Sequence, residues 1–198
     1  MQKLVIASGN RGKLREIDQI LTPLGFEVLP QSDFGVPECP EPHVTFIENC
    51  LAKARHASLH TGLPALADDS GICVDALNGA PGVYSARYSG EPKSDERNNE
   101  KLVAALRGQT NRKAHYYCVI VLVRHADDPE PLIAEGRWHG EIIDAPRGKN
   151  GFGYDPYFYL GEFGKTGAEL ESDHKNAISH RGKALVQLVS KLRVDLKA

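Results

Sequence analysis

The sequence predicts an α/β fold, and three stretches carry that prediction. Lys3-Leu-Val-Ile-Ala-Ser8 is an apolar run followed at once by Gly9-Asn-Arg-Gly-Lys13 and then by Leu14, Ile17, Ile20 and Leu21 at helical spacing, which is the order strand, glycine turn, helix. His115 to Val123 is the most continuous apolar run, β-branched and aromatic, as expected of a central strand buried on both faces. Ile178, Leu185, Leu188, Val189 and Leu192 recur at helical spacing near the end of the chain. With 198 residues, 41% of them apolar and 25% charged, the chain has enough core for one domain, or for two lobes sharing one sheet.

The remaining elements fall between these three. Phe26 to Leu29 predicts a second strand, after which Pro37, Pro40 and Pro42 impose an extended connector carrying Glu38 and Glu41. Thr45 with Glu48 three residues on predicts a capping box, and Phe46, Ile47, Cys50, Leu51, Ala54 and Ala57 predict a helical stripe ending at Gly62. Leu66-Ala-Asp-Asp-Ser-Gly71 and Ile72 to Ala76 predict a hairpin-like pair of strands. Ser94 or Asp95 caps a helix through Leu102, Val103 and Leu106 that closes at Gly108. Leu132 to Gly136 pairs with the central run, Trp138 to Ile143 forms another strand, and Tyr157 to Leu160 a further one.

Charge narrows the functional classes. A formal charge of −2 leaves no global footprint for DNA, RNA or an anionic membrane, so phosphate recognition must be local. The four cysteines form no C-x-x-C pair and no apolar leader precedes the first strand, which predicts a cytoplasmic protein with free thiols. The longest apolar runs are too short to cross a bilayer.

Within that frame, Asp68 and Asp69 are the unusual pair. Aspartate disfavours strands, and two adjacent carboxylates call for a cation, with magnesium the first choice. Adjacent side chains of an extended strand point to opposite faces, so one aspartate faces a ligand and the other supports it. The strand–glycine–helix turn from Ser8 to Lys13 directs N–H groups and the positive end of a helix dipole at an anion, although such a turn also forms for purely steric reasons. Leu14 stands where a P-loop needs Ser or Thr, so this is no Walker sequence. Gly151-Phe-Gly-Tyr-Asp155 combines close backbone approach with Phe152 or Tyr154 for stacking on a planar ring, or is a surface turn. His180 and Arg181 open a helix, where cations are misplaced. An anionic or acceptor-rich ligand relieves that cost, and so does a carboxylate such as Glu169, Glu171 or Asp173.

The ordered set Ser8-Gly-Asn-Arg-Gly-Lys13, Thr45-Phe-Ile-Glu-Asn49, Ala67-Asp-Asp-Ser-Gly71, Gly79-Ala-Pro-Gly82 with Tyr84-Ser-Ala-Arg-Tyr88, Gly151-Phe-Gly-Tyr-Asp155 and Ser179-His-Arg-Gly182 resembles the inosine/xanthosine triphosphate pyrophosphatase family along nearly the whole chain. The resemblance implies one domain over residues 1–198, with two lobes around a long central mixed sheet, flanking helices and a substrate cleft between the lobes. It also implies a homodimer, and hydrolysis of ITP, dITP or XTP to the monophosphate and pyrophosphate with Mg2+, while the charge balance and short apolar runs already predict no nucleic-acid and no membrane partner. Residue by residue, it assigns the triphosphate to Ser8, Gly9, Asn10, Arg11, Gly12, Lys13 and Lys53. Metal and catalysis fall to Asp69, a substrate contact to Ser70, and the base to Phe152, Gly153, Tyr154, Asp155, Lys175, His180 and Arg181. The family's connector glutamate lies near a Glu-Thr-Gly that this chain replaces with Pro40-Glu-Pro-His-Val44, which makes Glu41 the first choice as second metal ligand and leaves Glu38 open. The rival readings are a nucleotide- or RNA-binding module without turnover, and a pyrophosphatase for pyrimidine or modified nucleotides.

Overall fold

The computed structural model describes residues 1–195 and contains a seven-stranded mixed sheet in the order β2-β1-β3-β4-β5-β6-β7. In chain order the elements are β1 (Gln2–Ile6), α1 (Arg11–Leu21), β2 (Phe26–Pro30), α2 (Phe46–Thr61), β3 (Ala65–Val74), α3 (Asp95–Ala105), β4 (Lys113–Val123), β5 (Leu132–Ile142), β6 (Phe158–Leu160), β7 (Lys165–Thr166), α4 (Ser172–Ile178) and α5 (His180–Asp195). Contacts divide the chain into two compact units. The first takes residues 1–69, 118–135 and the chain from Lys183 onward; the second takes 70–117 and 136–182.

The first unit is built on parallel pairing. β1 pairs with β2 (Leu4 opposite Val28) and with β3 (Ile6 opposite Leu66), both parallel, so each connection needs a crossover, and α1 and α2 supply them. Leu4, Val5 and Ile6 are all fully buried, as a strand covered on both faces requires. Ile17 and Leu21 of α1, Ile120 and Leu122 of β4, and Leu185 and Leu188 of α5 complete this core.

The second unit is antiparallel at its edge, with β5 pairing β6 (Glu141 opposite Tyr159) and β6 pairing β7. Its core gathers Ile72 and Val74 of β3, Leu102 of α3, and an aromatic group in which Tyr116 meets Phe158 edge-on at 4.8 Å.

Several boundaries differ from the sequence expectation. The predicted hairpin around Asp68-Asp69 is one continuous ten-residue strand, because each carboxylate finds its own lysine and nothing forces a turn. Leu132 to Gly136 and Trp138 to Ile143 are likewise a single strand, β5. The helix expected to close at Gly108 ends at Ala105. The terminal helical stretch is broken at Ser179, whose hydroxyl accepts from Gly182 N at 3.2 Å and starts α5 afresh. Thr45 caps α2 through Glu48 N as expected, but the Glu48 carboxylate accepts from the Thr45 hydroxyl at 2.5 Å rather than completing a box on the backbone. Cys50 and Cys118 are buried small hydrophobes, and all four cysteines are free thiols.

Candidate active site

In the first unit the chemistry collects where β1 and the first half of β3 end. The loop after β1 is shorter than predicted: Asn10 is the N-cap of α1, and its Oδ1 accepts from Gly12 N at 2.8 Å and Lys13 N at 3.2 Å. Two N–H groups that the sequence offered to an anion are therefore already engaged by Asn10. Ser8 Oγ accepts from Asn10 N at 3.2 Å and holds the turn, with Gly9 exposed beside it. Arg11 opens α1, and its side chain lies outside the described residues. The Lys13 ammonium reaches back to Asp68 at 2.9 Å, and that carboxylate is fully buried.

Asp69, one residue on, pairs with a different helix. Lys53 of α2 lies 3.1 Å from Asp69 and 2.8 Å from Glu41, so one ammonium bridges two carboxylates. Adjacent aspartates thus serve two lysines on two helices, as strand alternation requires. Of the two connector glutamates, Glu41 reaches this cluster, whereas Glu38 is exposed. Asn49, overlooked as a functional residue in the sequence, explains why. Its buried amide donates to His43 O at 3.1 Å and accepts from His43 N at 3.0 Å, which straps the proline-rich connector to the first turn of α2 two residues beyond Glu41. An asparagine on the buried side of an otherwise apolar stripe was the available signal.

Burial pushes the Asp69 carboxyl above the usual carboxylate range, and the Lys53 charge offsets only part of that rise. For Lys53, burial alone favours the neutral amine, but Asp69 and Glu41 reverse the balance and hold it charged well beyond an ordinary lysine. The cluster has two carboxylates to one ammonium, an unbalanced negative charge presented on oxygen donors. That donor set fits a hard divalent cation. Among the described residues no three His, Cys, Asp or Glu side chains converge into a ready cage, so such an ion would rely on substrate or solvent oxygens as well.

In the second unit the predicted base-reading residues separate into two kinds. Asp155 is buried and accepts from Lys175 Nζ at 2.5 Å, from Phe152 N at 2.9 Å and from the Tyr116 hydroxyl at 3.4 Å. Gly151 makes this turn possible at φ +74, where an added Cβ would sit 2.1 Å from Asp155 Oδ2. Phe152 is 49% exposed, and the Lys175 ammonium stands 5.0 Å from its ring centroid. Tyr154 is turned inward, its hydroxyl donating to Ser85 O at 2.7 Å. Of the two aromatics offered by sequence for stacking, Phe152 is therefore the accessible one, and Tyr154 belongs to the buried cluster that also holds Ile72 and Leu102. Gly153 is held by Asp95 and Asn99 of α3, neither of which the sequence reading placed at a site.

His180 lies flat on Tyr116, with centroids 4.7 Å apart and planes within 9°. Arg181 donates to Ser70 Oγ at 3.2 Å. The carboxylates considered as neighbours for these cations lie elsewhere: Glu169 pairs with Arg147 at 2.9 Å, and Glu171 and Asp173 are exposed. Gly182 is obligatory by space, since an added Cβ would come within 1.8 Å of Asn176 O.

A mixed sheet whose third strand carries two lysine-matched aspartates, one of them sharing its lysine with a loop glutamate, makes this an α/β protein with cations and carboxylates side by side, a set that suits a polyphosphate and its counter-ion. The comparisons agree with that class. Residues 4–191 match the model of the Ham1 family, and the chain belongs to that family. It is 68% identical to the dITP/XTP pyrophosphatase of Nitrosomonas europaea over 97% of this chain and 95% of that relative. It is 63% identical to the dITP/XTP pyrophosphatase of Ralstonia nicotianae over 98% of each. The solved structure of a HAM1 protein from Coxiella burnetii superposes with a TM-score of 0.94 at 50% identity, covering 98% of this chain and 99% of that one.

Proposed function

We propose that this chain hydrolyses the non-standard purine nucleoside triphosphates ITP, dITP and XTP to the monophosphate and pyrophosphate, removing them from the nucleotide pool. The observation that carries the reading is the Asp69–Lys53–Glu41 cluster, in a chain so similar to relatives named dITP/XTP pyrophosphatase. In this reading Ser8 to Lys13 and Lys53 take the triphosphate, and Ser70 contacts the substrate. Asp69 accepts the proton of the water that attacks the α-phosphorus, a role its raised pKa suits. Glu41 and Asp69 would hold Mg2+, whose chemistry when bound is to neutralise charge building on the departing pyrophosphate. Lys13 and Lys53 stabilise that same charge from the protein side.

The purine falls to Phe152, Lys175, His180 and Arg181, with Gly153, Tyr154 and Asp155 shaping the loop. A 6-keto purine offers an acceptor at O6 to these donors, whereas adenine presents an amino group and would leave a buried cation unmatched. A site built to satisfy one group rejects the mismatch by about 10⁴ or more. We further place the protein in the cytoplasm, which its four free thiols support, and as a homodimer, which the family resemblance supports.

A panel of nucleoside triphosphates with Mg2+, scored for pyrophosphate against orthophosphate, tests the reading. ITP and XTP should release pyrophosphate far faster than ATP, GTP or the pyrimidine triphosphates. Equal rates across the panel, orthophosphate as first product, or tight binding without turnover would each overturn it. Sedimentation of the free protein checks the dimer.

A further inference from the structure

We propose that Asp95 and Asn99 are positioning residues for the purine end of the site, fixing Gly153 and, through it, the ring of Phe152. The inference rests on the function proposed above. Asp95 Oδ2 accepts from Gly153 N at 2.7 Å, and Asn99 Nδ2 donates to Gly153 O at 2.8 Å. Both groups of one peptide-linked glycine are thus taken by side chains four residues apart on the first turn and a half of α3. The Asn99 amide also donates to Asp95 O at 2.8 Å, tying helix backbone to loop backbone. Asn99 is buried, and spending its amino group on these two carbonyls leaves its Oδ1 without a hydrogen-bond partner among the described residues. Leaving a buried acceptor unmatched is costly, and a contact needed for packing alone would be served more cheaply by an apolar side chain.

The loop is consequently held on every side but one. Asp155 holds Phe152 N, α3 holds Gly153, and the Tyr154 hydroxyl is donated to Ser85 O. The half-exposed Phe152 ring, with the Lys175 ammonium over it, is left as a rigid platform on an anchored backbone. Preorganising such a platform lowers the cost of ordering it when a base arrives, so the effect belongs to substrate affinity and base choice rather than to phosphate chemistry.

The test compares Asp95→Ala, Asn99→Ala and Asp95→Asn in the full-length protein by kinetics with ITP and ATP, inhibition by inorganic tripolyphosphate, and hydrogen exchange of residues 148–155. Both alanine variants should raise KM for ITP, Asp95→Ala by about tenfold, as one charge-assisted hydrogen bond sets, and Asn99→Ala by about fivefold, as a neutral amide–carbonyl bond sets, with kcat within about twofold. Their ITP-to-ATP ratio should shrink, tripolyphosphate inhibition should stay the same, and exchange at 148–155 should quicken. Asp95→Asn keeps an acceptor for Gly153 N and should recover near wild-type KM. Should Asp95→Ala not fold, Asn99→Ala carries the same expectations at its own factor. The proposal is overturned if KM, base ratio and exchange are unchanged, or if kcat and tripolyphosphate inhibition worsen together with KM, the pattern of a merely structural defect. A wild-type protein that shows no preference for ITP overturns the functional reading instead; the clamp itself then falls only if exchange at 148–155 is unaltered.

Discussion

Lys13 and Asp68 form a 2.9 Å ion pair in which the carboxylate is wholly buried and the lysine only partly so. The pair resolves a conflict visible in the sequence, where two adjacent aspartates in a strand call for a cation. The protein meets the first call with its own lysine on one face of β3, and meets the second with Lys53. The negative charge left over belongs to Asp69 and Glu41, which share Lys53.

Asp68→Ala should therefore act first on folding. It strands a lysine that retains some access to solvent, so the loss should be about 2–3 kcal/mol, below the range for a fully buried broken pair. A lowered urea midpoint with an unchanged slope is the expected result. No change in midpoint would mean that the pair contributes nothing to stability.

Asp69→Asn should behave in the opposite way, losing most turnover while gaining stability at neutral pH. The folded-state pKa of Asp69 is raised above its ordinary value of 3.8, chiefly by burial. Between the unfolded and folded values the native state binds more protons, so ionising Asp69 costs stability as pH rises through that window. The asparagine variant escapes that cost. Its advantage should be full above the window and vanish below the ordinary aspartate range, as urea titrations at several pH values would reveal. Near-native activity in Asp69→Asn would remove this residue from the mechanism.

Lys53→Met tests the cation argument without reference to activity. Removing the ammonium leaves two partly buried carboxylates facing each other, and about 3 kcal/mol of stability should be lost at neutral pH. Acidification should restore part of it by protonating one carboxylate. The raised pKa of Lys53 works in the usual sense for a base: its contribution is complete below the ordinary lysine value of 10.5 and is lost only as pH climbs through the folded value, so the wild type keeps it throughout the neutral range. Added Mg2+ should raise the Tm of Lys53→Met more than that of the wild type, because its oxygen pair lacks a counter-charge. Equal shifts would argue against Glu41 and Asp69 as the divalent site.

The existence and kind of most elements were legible because they rest on local pattern: the apolar run of β1, the stripe and Gly62 cap of α2, the buried run of β4. Errors arose where a tertiary partner overruled a local signal. Asp-Asp-Ser-Gly reads as a strand end, yet Lys13 and Lys53 make it strand interior. Phe152 and Tyr154 look equivalent in sequence, and only the Ser85 carbonyl, distant in the chain, decides which ring goes inside. The choice of Glu41 over Glu38 as partner of Lys53 likewise depends on Asn49 strapping the connector, a contact that composition does not announce.

His180 gives the prediction in which packing and recognition must be separated. Its ring lies parallel on Tyr116, whose hydroxyl meets Asp155, the carboxylate that also binds Lys175. His180→Ala removes a buried stacked ring and should cost about 2 kcal/mol, with any change in base choice confounded by loosening along this chain of contacts. His180→Phe keeps the ring and discards its nitrogens. That variant should retain most of the lost stability yet still lower the ITP-to-ATP ratio of kcat/KM, since a phenyl ring offers nothing to O6. A ratio unchanged in His180→Phe would assign the histidine to packing and leave base reading to Lys175 and Arg181.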